Sequence, residues 1–312
     1  MRTLLADRAL RHAALIALFV AVPTALVLGP DSFLLMLARA FMRQWVLVFV
    51  LLGAFFALRR WAWGAIVANA AAVLIAVQVP WPLSGVAKGP MGAHLLRVGQ
   101  FNVLQPNDSK EAIIAAARTS GADVLSFQEV DDAWAVALDA ALSPEFPYRR
   151  IIPRQDCYGI ALYSRLPVDT MEVIDLLGAP AVRAVVRTAG GRVAVTAVHT
   201  RSPMPYGAFV KRNGQLEILA NRLADQPLPQ VVIGDLNAVG WDDALLRFRD
   251  RVGLKTIPAY EQATFPSMLG IALIPIDHVM GSFDLAINNT TTTHLRGSDH
   301  RALIADISRR GP

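Results

Sequence analysis

Three apolar stretches crowd into the first 80 residues, and nothing of their length follows them. They cover 10–28, 41–58 and 61–79. Each approaches the roughly 20 residues that a helix needs to cross the hydrocarbon core of a bilayer. The LLMLA run at 34–38 can extend the second as a tilted or interfacial helix, interrupted by Arg39 and Arg43. Pro23 lies inside the first stretch, while Pro80 and Pro82 close the third. Trp45, Trp61, Trp63 and Trp81 fall near the ends, where indole rings suit the membrane interface. A cleaved signal peptide also has a basic start and one apolar run, but the two further stretches favour a retained multispan anchor. The expected organisation is a transmembrane anchor over 1–82, a linker with Gly and Pro over 83–96, and a second domain over 97–312.

Charge follows the same division. Residues 1–96 hold eight basic and two acidic side chains, against 30 and 25 in the whole chain, which leaves the second domain at −1. The sequence pI of 9.7 therefore belongs to the anchor. It is no evidence for a globally basic nucleic-acid surface, and a local patch stays open. Arg2, Arg8 and Arg11 precede or open the first stretch, and Arg59 and Arg60 lie between the second and third. By the positive-inside rule these segments face the cytoplasm, so three spans carry the second domain outside it. Arg39 and Arg43 fall on the outer side and oppose that assignment. The single cysteine, Cys157, excludes an intramolecular disulfide and a cysteine-rich metal site. Gln155, Asp156 and Tyr158 beside it supply no activating base, so it reads as a structural thiol. No ionisable residue stands centrally in a proposed span, which argues against a solute path.

After the linker the hydrophobic pattern shortens. Strands are predicted over 95–103, 123–130, 158–165, 181–188, 191–200, 229–238, 275–281 and 300–308, with a weaker one over 285–289. Helices are predicted over 109–122, 131–142 and 209–224, and 290–293 reads as a polar connector. This mixture predicts an α/β domain with two packed sheets.

Polar residues collect where the apolar strands end. Asn102 ends the first and Glu129 the second; His199 closes a VAVTAV run; Asp235 and Asn237 follow VVIG. Asp277 and His278 follow IALIPI, and Asp299 and His300 open the last strand. Loops at the ends of a rigid sheet are where convergent sites are built. The oxygens of Asn102, Glu129, Asp235, Asn237 and Asp299 suit a hard divalent ion, which would also relieve repulsion among the carboxylates. Taken singly, each has a plainer explanation: an Asp or Asn after a strand is most often a turn or cap.

The ordered set is more specific. It runs FNV at 101–103, SFQEV at 126–130, ALYSR at 161–165, VHTRSP at 198–203, GDLNA at 234–238, IDHVM at 276–280 and GSDHRAL at 297–303. This order resembles the endonuclease/exonuclease/phosphatase superfamily, over about 97–309. The resemblance implies a DNase-like fold, a four-layer α/β sandwich of two mixed sheets flanked by helices, and a phosphoester hydrolase dependent on Mg²⁺ or Mn²⁺. It implies that Glu129 and Asn102 hold the metal, with Asp299 completing or adjoining that site. Asp235 would orient or deprotonate the attacking water, and Asn237 would hydrogen-bond the phosphoryl group. His300, backed by Asp277, would donate to a non-bridging oxygen, and His199 would stand on the other side of the phosphate. The substrate would be nucleic acid or a phospholipid headgroup, the latter in a sphingomyelinase-like or inositol-phosphatase-like activity. The sequence is also similar to bacterial members that carry a multispan N-terminal region, which implies a multi-pass protein of the bacterial inner membrane contacting the lipid bilayer.

Leu104 stands where the abasic-site enzymes carry Asp, which leans away from a dedicated repair enzyme. His278 is either in the pocket or beside it, and Arg165 either stabilises the domain or lies near the site. Arg201, Lys211 and Arg212 either contact further phosphates or form a solvated face. An inactive scaffold would lack one of the core residues, and none is missing.

Overall fold

The computed structural model describes residues 2–81, 91–255, 262–267 and 271–311. Residues 83–90 of the predicted 83–96 linker, and residues 256–261 and 268–270, lie outside the described residues. The chain divides into two compact units, Met1–Pro80 and Trp81–Pro312.

The first unit is helical: α1 (Arg2–Leu28), α2 (Phe33–Ala40), α3 (Met42–Leu58) and α4 (Ala62–Ala76). Only Leu10–Leu28 is by itself long and apolar enough to cross a membrane among the described residues. Helices α2 and α3 qualify only together, and they are bent by 68°. The third predicted stretch yields a helix of 15 residues. Three full spans are therefore not what the structure carries. Both outlying arginines beside the break before α3 donate to backbone carbonyls. Arg39 donates to the carbonyls of Leu26 (2.8 Å) and Gly29, at the C-terminal end of α1. Arg43 donates to Pro80 O at 3.1 and 2.6 Å, just past α4. The carbonyls of Leu26 and Gly29 are among those that a helix end leaves without intrahelical partners.

The second unit contains twelve strands and four helices among the described residues. Its first sheet has the order β11 (Leu285–His294), β12 (Arg301–Arg310), β1 (Met91–Asn102), β2 (Val124–Gln128), β4 (Ile160–Ser164), β3 (Tyr148–Ile152). Its second has the order β5 (Val168–Leu176), β6 (Ala179–Thr188), β7 (Gly191–His199), β8 (Gln230–Asp235), β10 (Asp277–Ser282), β9 (Leu254–Lys255). Each sheet is antiparallel except for one central pair, β1 with β2 and β7 with β8. Parallel neighbours need a crossover. Helix α5 (Lys110–Thr119) joins the first pair and α7 (Tyr206–Leu223) the second.

Side-chain alternation builds the four layers. Leu96, Val98 and Val124 of one sheet meet Val182, Val195 and Ile233 of the other in a dry core. Leu125 and Phe127 point the opposite way, against α5 and α6 (Asp132–Leu142) around fully buried Trp134. Val198 and Val232 likewise pack under α7 and α8 (Asp243–Val252). Asp131 starts α6 by accepting the Trp134 amide at 2.8 Å, and Asp242 starts α8 by accepting the Ala244 amide at 2.9 Å. The 290–293 segment is part of β11 and pairs with β12, so its threonines form an edge strand rather than a connector.

Candidate active site

The two parallel pairs set the site's position. Asn102 ends β1, Glu129 follows β2, His199 ends β7 and Asp235 ends β8. The antiparallel neighbours start at that same end: Asp277 opens β10 opposite Asp235, and His300 immediately precedes β12, which pairs with β1. Six of the predicted residues therefore converge because strand ends converge. Ser298 secures the entry to β12, donating to Asn102 O at 2.8 Å and accepting the His300 amide at 3.0 Å.

His300 Nδ1 bonds Asp277 Oδ2 at 2.8 Å, and its Nε2 lies 3.6 Å from Asp235 Oδ2. His199 Nε2 lies 3.7 Å from the same Asp235 oxygen. Asn102 Nδ2 donates to Asp235 Oδ2 at 3.1 Å and to Glu129 Oε1 at 3.2 Å. The Leu104 amide donates to Asn102 Oδ1 at 3.1 Å, so the Asn102 amide turns its nitrogen, not its oxygen, toward Glu129. The Gln105 amide donates to the other Glu129 oxygen at 3.1 Å. Asn237 donates its amide to Asp235 Oδ1 at 2.8 Å and its side-chain nitrogen to Thr200 O at 2.9 Å. That side-chain nitrogen carries a second hydrogen that can serve an incoming acceptor. Leu104, Glu129, Cys157 and Asn237 all have φ between 47° and 65°, the strained left-handed region that clusters around sites needing fixed geometry.

Burial and neighbouring charges separate the protonation states. Burial raises the Asp235 carboxyl, and Asp277 adds to this, to about 8. For His300 burial acts to lower the pKa, but the Asp277 and Asp235 carboxylates overcome it and hold the ring up at about 10. Burial, with the charge of His300, drives His199 down to about 3. One histidine is thus cationic and the other neutral at pH 7. Burial also raises Asp299, with Glu129 contributing, and Asp299 Oδ1 is a buried acceptor without a hydrogen-bond donor. Two neighbouring carboxylates, one with an orphaned oxygen, form a donor set that fits a hard divalent cation. Asp235, Asp277 and His300 also offer ligand atoms within 4.8 Å of one another, but His300 and Asp277 already satisfy each other.

Two residues absent from the sequence reading stand behind the cluster. Gln100 Nε2 donates to Asp277 Oδ1 at 2.7 Å and to Gln128 Oε1 at 2.9 Å, while Gln128 donates to Ser126 Oγ at 2.6 Å. This buried amide network reaches from the first sheet to the second. Its one signal was position: Gln100 lies two residues before Asn102 in β1, hence on the same face. Phe265 packs against the His300 ring with centroids 4.8 Å apart. His278 falls on the opposite face of β10 and bonds Ala238 O at 2.7 Å, so it supports the GDLNA loop. Arg165 lies beyond Ser164, which pairs with Val124 at the other end of β2, and stacks on Phe146 at 4.9 Å. Arg212 is fully buried and bonds Asp242 at 3.0 Å, so it forms no solvated face.

A sandwich of two mixed sheets with a histidine–carboxylate cluster at its converging strand ends defines a DNase-like protein. The chain belongs to the endonuclease/exonuclease/phosphatase family, whose model matches residues 99–300. A search of curated protein sequences finds no match to the chain. Among solved structures it is similar to an endonuclease/exonuclease/phosphatase from Beutenbergia cavernae, at 18% identity and a TM-score of 0.58, over 70% of this chain and 72% of that one. It is similar to sphingomyelinase C from Streptomyces griseocarneus at 19% identity and a TM-score of 0.52, over 68% and 99%. It also resembles a mannosyl-6-phosphatase from Bacteroides thetaiotaomicron at 16% identity and a TM-score of 0.55, over 68% and 99%. At these identities the likeness is one of fold.

Proposed function

We propose that the chain hydrolyses phosphoester bonds by direct attack of water, with a divalent ion, Mg²⁺ or Mn²⁺, held by Glu129 and Asp299 beside Asn102. The observation that carries this is the buried meeting of Asp235 with His300, His199 and Asn102. Asp235 has a proton affinity near neutral, suited to taking a proton from water. His300, held by Asp277, carries a proton on Nε2 that can be donated to a non-bridging phosphoryl oxygen as negative charge grows there. Asn237 offers its second side-chain hydrogen to the same group. Neutral His199, across Asp235 from His300, stands where a leaving oxygen would be. The ion, when bound, supplies positive charge against the phosphoryl oxygens. No covalent intermediate is required.

The substrate arms are nucleic acid and a phospholipid headgroup. They are separated by offering full-length protein plasmid DNA and mixed phospholipid vesicles in parallel with Mg²⁺, with Asp235→Asn and His300→Ala as controls. DNA nicking lost in both variants supports a nuclease, and headgroup release with intact DNA supports the lipid reading. Silence on both from folded protein rejects these two substrate classes.

The first unit we take as a membrane anchor, with the catalytic domain outside the cytoplasm of a bacterial cell. What supports the anchor is apolar side chains facing outward on several helices, among them Leu18, Leu51, Phe55, Ile66 and Val73. Arg39 and Arg43 donate to backbone carbonyls and keep their charge, so they still oppose this topology. Cys157 is exposed and is the one cysteine in the chain. Labelling of intact cells with a membrane-impermeant maleimide therefore reports the domain's side. Modification before lysis supports the proposed topology, and modification only after lysis overturns it.

A further inference from the structure

Arg201 stands two residues beyond His199 and is absorbed by none of the roles above. Its guanidinium lies over one side of the Tyr158 ring, 4.7 Å from the centroid. The same ring faces the His199 imidazole, with centroids 5.3 Å apart and planes at 42°. Tyr158 therefore touches both the Arg201 guanidinium and a histidine of the reacting centre. Both sides of the ring are fixed. The Arg201 amide donates to Gln215 Oε1 at 2.7 Å, and Gln215 itself is buried and anchored on Leu176 O at 2.8 Å. Before Tyr158, the Cys157 amide donates to Gln105 Oε1 at 3.0 Å, and Gln105 shares its backbone with the Glu129 contact. Arg154 and Asp156, the other charges of that loop, satisfy each other. Arg201 has no carboxylate partner among the described residues and is half-buried, so its charge is preorganised and left for a ligand.

We propose that Arg201, on its Tyr158 platform, is a subsite for a second phosphate, so that the substrate is a phosphoester carrying another phosphate next to the scissile one rather than a zwitterionic headgroup. This rests on the proposed hydrolase site for the position of the first phosphate. A planar guanidinium offers paired donors to phosphate oxygens, whereas a choline-type cation would be repelled. Two sources share this chemistry, a polynucleotide and a phosphorylated lipid headgroup.

The test is equilibrium binding to full-length protein with Mg²⁺, which does not require turnover. Thymidine 5′-phosphate is compared with thymidine 3′,5′-bisphosphate, and inositol 1-phosphate with inositol 1,4-bisphosphate. In at least one pair the second phosphate is expected to tighten binding on the order of tenfold, comparable to one well-placed ion pair. Which pair shows it identifies the source. Arg201→Met is expected to collapse the ratio within that pair, and Arg201→Lys to restore part of it. A purely structural Arg201 would weaken both members equally and leave the ratio unchanged, which overturns the proposal. So does a wild-type protein that binds both members of each pair alike. If the ratio behaves as expected but no phosphoester is hydrolysed, the hydrolase reading fails and the subsite stands.

Discussion

Gly234, the first residue of GDLNA, ties strand pairing to the site, and Gly234→Ala tests that link. Its φ is 141°, and a Cβ there would lie 1.9 Å from Val198 O, against 3.4 Å for ordinary contact. The obstacle is the backbone of β7, so no side chain can turn aside. The conformational strain costs about 1–3 kcal/mol and the forced separation of β7 from β8 a similar amount. For a unit of this size, about 4 kcal/mol lowers the melting temperature on the order of 10 °C. The same separation moves Asp235 away from His199, its partner in the β7–β8 register. Phosphoester hydrolysis should therefore fall even well below the melting temperature. Calorimetry and an activity assay on full-length protein in detergent measure both. Gly207→Ala is the control, because a Cβ there meets nothing within 4 Å and φ is ordinary; its melting temperature should hold or rise slightly. A Gly234→Ala protein that melts within about 2 °C of wild type and keeps its activity would refute the claim that this close approach positions Asp235.

Three further outcomes follow from the site's geometry. In metal-free protein, Asp235 and His300 both bind their protons more tightly folded than unfolded, with folded values of about 8 and about 10 against 3.8 and 6.5. Their stabilisation is thus lost with rising pH, each by up to about 1.4 kcal/mol per unit. Melting temperature in EDTA should fall between pH 6.5 and 8, and Asp235→Asn should shrink that fall; a flat profile contradicts the assignment. Gln100→Leu leaves Asp277 Oδ1 and Gln128 Oε1 without their shared donor, which should cost about 1–3 kcal/mol and lower turnover. An unchanged urea midpoint and kcat would show that the network is idle. Saturating Mg²⁺ should raise the melting temperature of wild type by several degrees, as about 100 Kd of a native-state ligand adds about 2.7 kcal/mol. Glu129→Gln should lose most of that gain, and an equal gain in both proteins would remove Glu129 from the metal site.

The site was legible in the sequence because each of its residues interrupts an apolar strand at its end, where a polar side chain has no packing reason to be. Asn102, Glu129, His199, Asp235, Asp277 and His300 were all visible this way. Gln100 and Gln128 were not, because a lone amide inside a strand does not announce which partner a second sheet will bring. Tyr158 and Arg201 are joined only through folding, across 43 residues of sequence. Among elements, β5 escaped notice because it is an edge strand whose faces are largely open, and β11 was read only over 285–289 because its threonines look like a connector until they pair with β12. Helix α8 was missed, although its sequence carries the signals of both ends, Asp242 at its start and Gly253, at φ 71°, beyond its end. The apolar N-terminal third was read correctly in composition but not in helix length: the bend of 68° between α2 and α3 and the 15-residue length of α4 are not contained in local hydropathy.

The most direct test of the account is hydrolysis of bis(4-nitrophenyl) phosphate by purified full-length protein, with Mg²⁺ or Mn²⁺ and with EDTA, beside Asp235→Asn. Metal-dependent release of nitrophenol is expected, abolished by EDTA and lowered at least about a hundredfold in Asp235→Asn, on the scale of a lost general base. Equal release by wild type and a folded Asp235→Asn protein would contradict it.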